Sequence, residues 1–286
     1  MAADPLVSVI IASYNHAPYV EESILSVIAQ SYGQIELLVV DDGSQDDSVE
    51  RIWRLQEKYG FDFQVQKNQG LARTLNDCIA RAKGELIAPL GSDDAMMPER
   101  IATQVAYLRD KKEVGICAGN IQVIDAKGNA IERRCRDRAF RRLDFKALFN
   151  GAEAGPPAPT LLFRRKALEA VGGFDPEIRL EDLQVELKIA YAGYFIDVLP
   201  EVLAKYRVHG ANTYKDRRFM VDQVLATYAH FADHPDYSAA CTKFINSMFL
   251  KCAKDDKVLA KDLLRRLSVR HWDAKTLRGL VRFVFY

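Results

Sequence analysis

The sequence predicts an α/β protein, with a mostly parallel β-sheet flanked by helices and a helical C-terminal region. Short apolar runs rich in Val, Ile and Leu recur along the first 110 residues, and such runs are typical of strands buried on both faces of a parallel sheet. Segments with helical spacing separate these runs, which indicates βαβ units. From Phe219 onward the chain has helical spacing without strand-like alternation.

The first βαβ unit begins with VSVIIA, residues 7–12, a continuous apolar run that predicts a buried strand. After the turn SYNHAP, the next apolar residues share one face of a helix. They are Val20, Ile24, Val27 and Ile28. Pro18 lies near the first turn of this helix, where proline is well tolerated.

Further strands are predicted at ELLVV (36–40), FQVQ (63–66) and ELIAPL (85–90). A helix follows each of the last two strands, and its apolar residues again share one face. These residues are Leu71, Leu75, Cys78 and Ile79 in the first helix, and Ile101, Val105 and Leu108 in the second.

The middle of the chain is less regular, and we expect three regions, 1–110, 111–215 and 216–286. GICAGNIQVID (115–125) predicts a strand, and NGAEAGPPAPT (150–160) predicts a Gly/Pro-rich loop that is long enough to form a lid or an acceptor wall. EDLQVELKIAYAG predicts a helix with an inward face. That face consists of Leu183, Leu187, Ala190 and Tyr191.

Three polar clusters follow three of the predicted strands. They are Ser13-Tyr14-Asn15, Asp41-Asp42-Gly43-Ser44 and Ser92-Asp93-Asp94. In open α/β sheets, ligands bind beyond the carboxyl ends of the strands. We therefore expect these clusters to converge on one edge of the sheet and to form a site.

Net charge, cysteine spacing and the length of apolar runs exclude several classes of protein. The formal net charge of the 286 residues is +1, so no global field recruits nucleic acid. The five cysteines are scattered and never spaced CxxC, which argues against a disulfide framework and a zinc site. The N-terminus lacks the pattern of a signal peptide, and no apolar run approaches the roughly 18 residues of a membrane helix. We expect a cytoplasmic protein.

Each acidic cluster has a structural and a functional interpretation. Asp93 and Asp94 precede a helix, where one carboxylate caps the N-terminus, but a pair fits a hard divalent cation better. Asp41 and Asp42 close a strand in a turn sequence, or they accept hydrogen bonds from a nucleotide. The Glu181-Asp182 pair opens a helix, where it stabilises the N-terminus or supplies a general base.

Two basic residues, His209 and Arg73, likewise have both a structural and a functional interpretation. His209 is an ordinary loop histidine or a ligand for a metal or phosphate. Arg73 is a surface arginine or a contact to a phosphate or base.

Residues 257–286 contain eight Lys or Arg and two Asp, interleaved with Leu, Val, Trp and Phe. This pattern suits a solvated helix face, or an interfacial helix on an anionic membrane surface, which we favour. Nucleic acid is a third option, but no recognised nucleic-acid motif accompanies the segment.

Several motifs together resemble the inverting family-2 glycosyltransferases of GT-A fold, which have a Rossmann-like sheet. The motifs are VSVIIASYN, IELLVVDDGSQDDS, NQGLARTLNDCIARAKGELIAPLGSDD, LLFRRKALEAVGGFDP, LEDLQVELKIA and YRVHGANT. They span residues 6–213, roughly three quarters of the chain. The resemblance implies that residues 1–110 bind a nucleotide-sugar and that 111–215 form the acceptor and catalytic half.

The resemblance also implies residue roles on the donor side. Tyr14 and Asp42 would bind the nucleobase and ribose. Ser13, Asn15 and Asp41 would shape that pocket.

A second set of roles concerns the diphosphate and the acceptor. Asp94 would carry Mg²⁺ or Mn²⁺ through the diphosphate, with Asp93 near the ribose and metal. His209 would help to hold the metal and diphosphate, and Asp182 would be the catalytic base.

The chain departs from this family at two positions. Gly91 stands where many relatives have the first aspartate of an Asp-Ser-Asp-Asp motif, and Ala12 stands where some have threonine. The QxxRW signature and the membrane helices of processive synthases are absent, which points to transfer of a single sugar.

The expected function is transfer of one sugar from a nucleotide-sugar to an acceptor hydroxyl with inversion. We expect a role in bacterial lipopolysaccharide or other surface glycan assembly, at the inner face of the cytoplasmic membrane. The donor is a UDP- or dTDP-sugar, with a dTDP-rhamnose type as one candidate, and the acceptor is a glycan or glycolipid.

Two other classes stay open. A nucleotidyltransferase would usually carry a Gly-rich phosphate loop, which SYNHAP is not. A non-catalytic nucleotide-sugar-binding protein would not need Asp182.

Overall fold

The computed structural model describes residues 4–132, 139–210, 212 and 215–285, and these residues divide into two compact units. Unit 1 is Met1–Phe145 with Gly155–Gly210, and unit 2 is Lys146–Ala154 with Ala211–Tyr286. Cys135 and residues 211 and 213 of the YRVHGANT motif lie outside the described residues.

The first part of unit 1 is the parallel sheet that the apolar runs predict. Its strands are β1 (Val7–Ser13), β2 (Ile35–Asp41), β3 (Asp62–Val65) and β4 (Leu86–Gly91). They lie in the order β3-β2-β1-β4, and each neighbouring pair is parallel. Because β1 has neighbours on both sides and helices over both faces, most of its side chains are buried.

Four helices connect and follow these strands. They are α1 (Val20–Ile28), α2 (Ser48–Tyr59), α3 (Leu71–Arg81) and α4 (Arg100–Leu108). Three of them match the helices predicted from apolar spacing. The helix α2 was not predicted, although its residues Ile52, Leu55 and Tyr59 recur at the i, i+3, i+7 spacing of one helix face.

The rest of the sheet is mixed. Its strands are β5 (Ala95–Met96), β6 (Val114–Asp125), β7 (Arg141–Leu143), β8 (Leu162–Arg164) and β9 (Phe195–Val208). The short β8 is antiparallel to both β4 and β6, and it joins the parallel part to the long parallel pair β6 and β9. The edge strands β5 and β7 both pair antiparallel with β9.

Three short or mid-length helices occupy the middle of the chain: α5 (Phe145–Phe149), α6 (Arg165–Ala170) and α7 (Glu181–Tyr191). The predicted inward face of α7 is partly wrong. Leu187 and Ala190 are buried, but Tyr191 is 58% exposed, because Val185 and Ile189 turn inward instead. The 150–160 segment is irregular except for a 3₁₀ turn at Ala158–Thr160.

Unit 2 is helical, as predicted, with α8 (Arg217–Ala229), α9 (Tyr237–Cys252), α10 (Lys257–Arg265) and α11 (Ala274–Phe285). Its core is built around Phe249 of α9, which is fully buried. A Cβ atom on Gly279 would lie 2.5 Å from the Phe249 ring, so glycine lets α11 approach α9 closely. Within the described ranges, no helix has the length and apolar character needed to cross a bilayer.

Candidate functional site

The ends of β1, β2 and β4 bring the three polar clusters to one edge of the sheet. In the strand register Ser13 lies opposite Asp41, and Ala12 lies opposite Gly91. The Asp42 N–H donates to the Ser13 carbonyl oxygen at 2.8 Å. The convergence expected from the strand pattern is therefore present in the structure.

Several hydrogen bonds connect the loop after β1 to the loop after β2. Asn15 has a left-handed backbone, with φ of 54°. Its N–H donates to Ser44 Oγ at 2.8 Å, and its Oδ1 accepts from the Gln45 N–H at 2.8 Å. The Ala17 N–H donates to Asp46 Oδ2 at 3.0 Å. Asn15 thus links the loop after β1 to the loop after β2.

Both aspartates of the DDGS turn are buried and accept hydrogen bonds from the protein. Asp41 accepts from the N–H and the hydroxyl of Ser44, at 2.8 and 2.7 Å. Asp42 accepts from Gln66 Nε2 at 2.8 Å and from the N–H groups of Gln69 and Gly70 at 3.0 and 2.9 Å. These three hydrogen bonds fix the loop before α3.

The other donor-side candidates differ in access to solvent. Tyr14 is 47% exposed, so its ring is open for stacking. Ser13 is fully buried, and its hydroxyl has no hydrogen-bond partner among the described residues. Arg73, in the first turn of α3, is exposed and lies 3.7 Å from Glu177 in an ion pair.

Asp93 and His209 are in direct contact, although 116 residues separate them in the chain. His209 Nε2 and Asp93 Oδ2 lie 2.9 Å apart. His16, from the loop after β1, joins them, and ligand atoms of these three side chains all lie within 4.8 Å of one another. His16 Nδ1 lies 2.7 Å from Ser92 Oγ in a hydrogen bond. Burial lowers the pKa of His16, an effect that Asp93 opposes.

Asp94 takes a different position from Asp93. It is 5% exposed, and its Oδ1 accepts from the Arg207 N–H at 2.8 Å. Burial, and next the charge of Asp93, raise the pKa of Asp94 well above its ordinary value. The fully buried guanidinium of Arg100 lies close enough to oppose this shift, and burial lowers its own pKa to about 9.

The donor set fits a divalent cation. Two adjacent carboxylates, one of them buried, carry repulsion that a bound cation would relieve. The imidazole of His209 adds a nitrogen donor at 2.9 Å from Asp93. Asp94 lies outside the three-residue cluster that the structure brings together.

The first turns of α7 hold three carboxyl groups. Glu181 and Asp182 are half-buried, and Glu186 is 3% exposed. Burial and the neighbouring Asp182 raise the pKa of Glu181 to about 8. Burial also raises the pKa of Asp182, and burial together with Asp182 raises the pKa of Glu186 well above its usual range. A carboxylate with a raised pKa is a stronger base, which suits proton abstraction near neutral pH.

Sequence reasoning missed several residues at this site. His16 stands directly after the Ser13-Tyr14-Asn15 cluster, so extending that cluster by one position would have included it. Glu186 lies four residues after Asp182, a spacing that puts both on one helix face. No local pattern reveals that Arg100 is fully buried beside Asp94, because that contact depends on the fold.

Comparisons with known proteins agree with this architecture. The family model described as "Glycosyl transferase family 2" matches residues 8–172. An uncharacterized glycosyltransferase of Nostoc sp. is 30% identical over 293 residues, covering 97% of this chain and 88% of that protein. The putative glycosyltransferase EpsE of Bacillus subtilis is 28% identical over 242 residues, covering 80% of this chain and 82% of that protein.

Two solved structures have the same fold. S. aureus TarS 1-349 in complex with UDP-GlcNAc has a TM-score of 0.70 at 16% identity, covering 93% of this chain and 82% of that one. The mannosyltransferase PcManGT from Pyrobaculum calidifontis, in complex with GDP-Man and Mn²⁺, has a TM-score of 0.65 at 20% identity, covering 99% and 88%. The predicted GT-A class, a central sheet flanked by helices with further C-terminal helices, is confirmed.

Proposed function

Because the chain belongs to glycosyl transferase family 2, whose members use nucleotide-sugar donors, we propose that it transfers one sugar to an acceptor hydroxyl with inversion. One observation carries this proposal. Three polar clusters meet at one edge of a parallel sheet, and the adjacent Asp93 and Asp94 are among them. Ligands of open α/β sheets bind at such an edge.

The donor site in this proposal is built from the loops after β1 and β2. The exposed ring of Tyr14 stacks on the nucleobase. Asp42 accepts a hydrogen bond from the nucleotide, while Asp41 and Asn15 hold the two loops in place. Ser13 is buried at the end of β1, next to these loops. We assign Arg73 to the phosphate groups of the nucleotide-sugar, because a guanidinium suits phosphate oxygens.

Asp93, Asp94 and His209 would hold a divalent cation, Mg²⁺ or Mn²⁺, that arrives with the diphosphate. Bound there, the cation supplies Lewis-acid stabilisation for the leaving nucleoside diphosphate. The protein's contribution is to fix the ligands. The Arg207 N–H holds one oxygen of Asp94 at 2.8 Å, and Arg207 Nε donates to the Asp93 carbonyl oxygen at 2.8 Å.

Asp182 is the proposed general base. It takes the proton of the acceptor hydroxyl at a carboxylate oxygen as that hydroxyl attacks the anomeric carbon from the face opposite the leaving group. A single displacement of this kind inverts the configuration and needs no protein nucleophile. Burial of the carboxyl groups around Asp182 raises their pKa values, which increases the basicity of the ionised form.

An Asp182→Asn variant tests this proposal. We expect it to retain donor binding within about twofold and to lose roughly 10²- to 10⁴-fold in kcat, the usual contribution of a general base. Release of nucleoside diphosphate from the donor, with a lipid-linked glycan extract as acceptor, measures the rate. Asp47→Asn, which changes an exposed carboxylate at the N-terminus of α2, is the matched control.

An Asp182→Asn variant with wild-type turnover would contradict the assignment of the base. A wild-type protein that binds nucleotide-sugar but never turns over with any acceptor would favour the non-catalytic alternative.

We further propose that the acceptor is a lipid-linked glycan of a bacterial surface polysaccharide, such as lipopolysaccharide, with a UDP- or dTDP-sugar as donor. A surface of unit 2 supports this. The outward side of α11 exposes apolar residues at helical spacing, with basic residues beside them. The apolar residues are Leu277, Val281, Val284 and Phe285, and the basic ones are Lys275, Arg278 and Arg282. Such a face suits the headgroup region of an anionic membrane.

A further inference from the structure

His16 lies beside Asp93 and His209, and neither the sequence motifs nor the proposed mechanism uses it. It comes from the loop after β1, whereas Asp93 follows β4 and His209 follows β9. Three separate parts of unit 1 thus deliver two imidazoles and one carboxylate to one place. A histidine placed so close to another histidine and an aspartate has the chemistry of a metal ligand.

The distances suit coordination of one ion. Ligands in neighbouring positions of an octahedral ion, each about 2.1 Å from it, lie about 3.0 Å apart, and opposite ligands lie about 4.2 Å apart. His209 Nε2 and Asp93 Oδ2 are 2.9 Å apart, the spacing of neighbouring ligands. The full cluster lies within 4.8 Å, so small side-chain shifts would complete the site.

The rings are already held in place. The backbone N–H of His16 donates to Ser48 Oγ at 3.1 Å, and the backbone carbonyl oxygen of His16 accepts from the N–H groups of Tyr19 and Val20. Ser92 bonds one nitrogen of the His16 ring. Hydrogen bonds of this kind orient histidines that bind metals.

Aromatic contacts add to this order. The Tyr19 and His209 ring centroids lie 5.1 Å apart, and those of His16 and His209 lie 5.6 Å apart. The guanidinium of Arg207 is paired with Glu22 and lies over the Tyr19 ring. The carboxylate of Glu22 therefore offsets the charge of Arg207, which reduces the repulsion between Arg207 and a divalent cation at the cluster.

We infer that His16 is a further protein ligand of the divalent cation, beside the proposed ligands Asp93, Asp94 and His209, so that unit 1 binds the ion before the nucleotide-sugar arrives. This inference rests on the proposed function and deepens it. With two imidazoles among its ligands, the site favours Mn²⁺, Co²⁺ and later transition metals over Mg²⁺, which prefers oxygen ligands. Of Mg²⁺ and Mn²⁺, the two ions that the sequence leaves open, this inference therefore favours Mn²⁺.

Electron paramagnetic resonance of Mn²⁺ titrated into the full chain without nucleotide tests this inference. We expect one bound Mn²⁺ per chain, with pulsed spectra that show coordinated nitrogen. His16→Gln should weaken Mn²⁺ binding by at least about 10-fold, the loss typical when a metal site loses a partner. His271→Gln, which removes an exposed histidine of unit 2, should leave binding unchanged. Mg²⁺ should displace Mn²⁺ only in large excess.

A second variant and a folding control keep the test decisive. His16→Phe retains a ring beside Tyr19 and His209 but has no nitrogen, so it should weaken Mn²⁺ binding as His16→Gln does. Thermal unfolding in EDTA should show both variants folded. Mn²⁺ affinity that is equal in wild type and both variants would overturn the inference, as would wild-type binding that needs a nucleoside diphosphate.

The two proposals fail in different ways. If His16 is no ligand, nucleotide-sugar binding and the loss of turnover in Asp182→Asn remain, and only the Mn²⁺ result changes. If the chain is not a transferase, Mn²⁺ still binds at His16, Asp93 and His209, but no donor turns over.

Discussion

At the residue scale, the first turns of α7 concentrate three carboxyl groups where water has little access. Glu181, Asp182 and Glu186 each have a raised pKa, and burial is the first cause in every case. Burying ionisable carboxyl groups together reduces the stability of the fold. Carboxyl groups with raised pKa values are nevertheless common at sites that need a base near neutral pH. The cluster is therefore the place where a pH experiment is most informative.

Glu181 gives a prediction with a definite sign. Its pKa is 4.5 when unperturbed and about 8 in the folded chain. Between these values the folded state holds a proton that the unfolded state has lost, so the free energy of unfolding falls as pH rises from about 4.5 to 8. Glu181→Gln removes this penalty. We expect its stability relative to wild type to rise by more than about 1 kcal/mol between pH 5 and pH 8.

Urea unfolding at the two pH values measures this difference. Glu177→Gln, whose side chain is 84% exposed, is the control and should show no pH-dependent gain. A constant difference between Glu181→Gln and wild type would mean that Glu181 titrates normally in the folded protein.

Sequence motifs predicted a set of donor-site residues but not the hydrogen bonds that each of them makes. The DDGS motif marks Asp42 as a ligand contact, while the structure adds three hydrogen bonds that hold the loop before α3. His16 and Arg100 escaped notice because their partners are far away in the chain. Ser92 is 76 residues from His16, and Leu161, which accepts from Arg100 at 2.9 Å, is 61 residues from it.

At the element scale, apolar periodicity predicted most strands and helices of unit 1, and the exceptions include α2 and β7. β1, β2 and β4 are continuous apolar runs because helices cover both sheet faces. The amphipathic helix α2 was not predicted, although Ile52, Leu55 and Tyr59 share one of its faces. The strand β7 has only three residues, too few for any period to show.

The contact between α9 and α11 gives a prediction for an element. Gly279→Ala gains about 1 kcal/mol in helix propensity. Its Cβ would, however, lie 2.5 Å from Cε1 of Phe249, whose ring is fully buried among other side chains. Overpacking typically costs about 1–3 kcal/mol, so we expect a net loss of stability.

Thermal or urea unfolding checks this outcome. Gly33→Ala is the matched control, since nothing lies within 4 Å of the added atom, and it should be close to neutral. A Gly279→Ala variant more stable than wild type would show that α11 does not pack on α9 as described.

At the scale of the whole molecule, the helical unit carries the proposed link to a membrane. Leu277 is 59% exposed, Val281 54% and Val284 69%, so the outer side of α11 offers apolar surface that unit 2 itself does not cover. Basic residues beside this surface favour anionic lipid, by about 1 kcal/mol each near the membrane.

Co-sedimentation with vesicles tests this link. We expect binding to vesicles containing phosphatidylglycerol, weaker binding at high salt, and little binding to phosphatidylcholine alone. The triple change of Leu277, Val281 and Val284 to serine should abolish binding. The control, Leu25→Ser with Ile28→Ser on α1, should keep it. Equal sedimentation of both variants would contradict the membrane contact.

The most direct test of the account is a thermal shift against UDP-, dTDP- and GDP-sugars, each with and without Mn²⁺. A ligand that binds only the folded state stabilises it by about 2.7 kcal/mol at 100 times its Kd. We predict a Mn²⁺-dependent rise in Tm with one nucleotide class, which would identify the donor base. Unchanged Tm values across the whole panel would contradict the assignment of the β1, β2 and β4 edge as a nucleotide-sugar site.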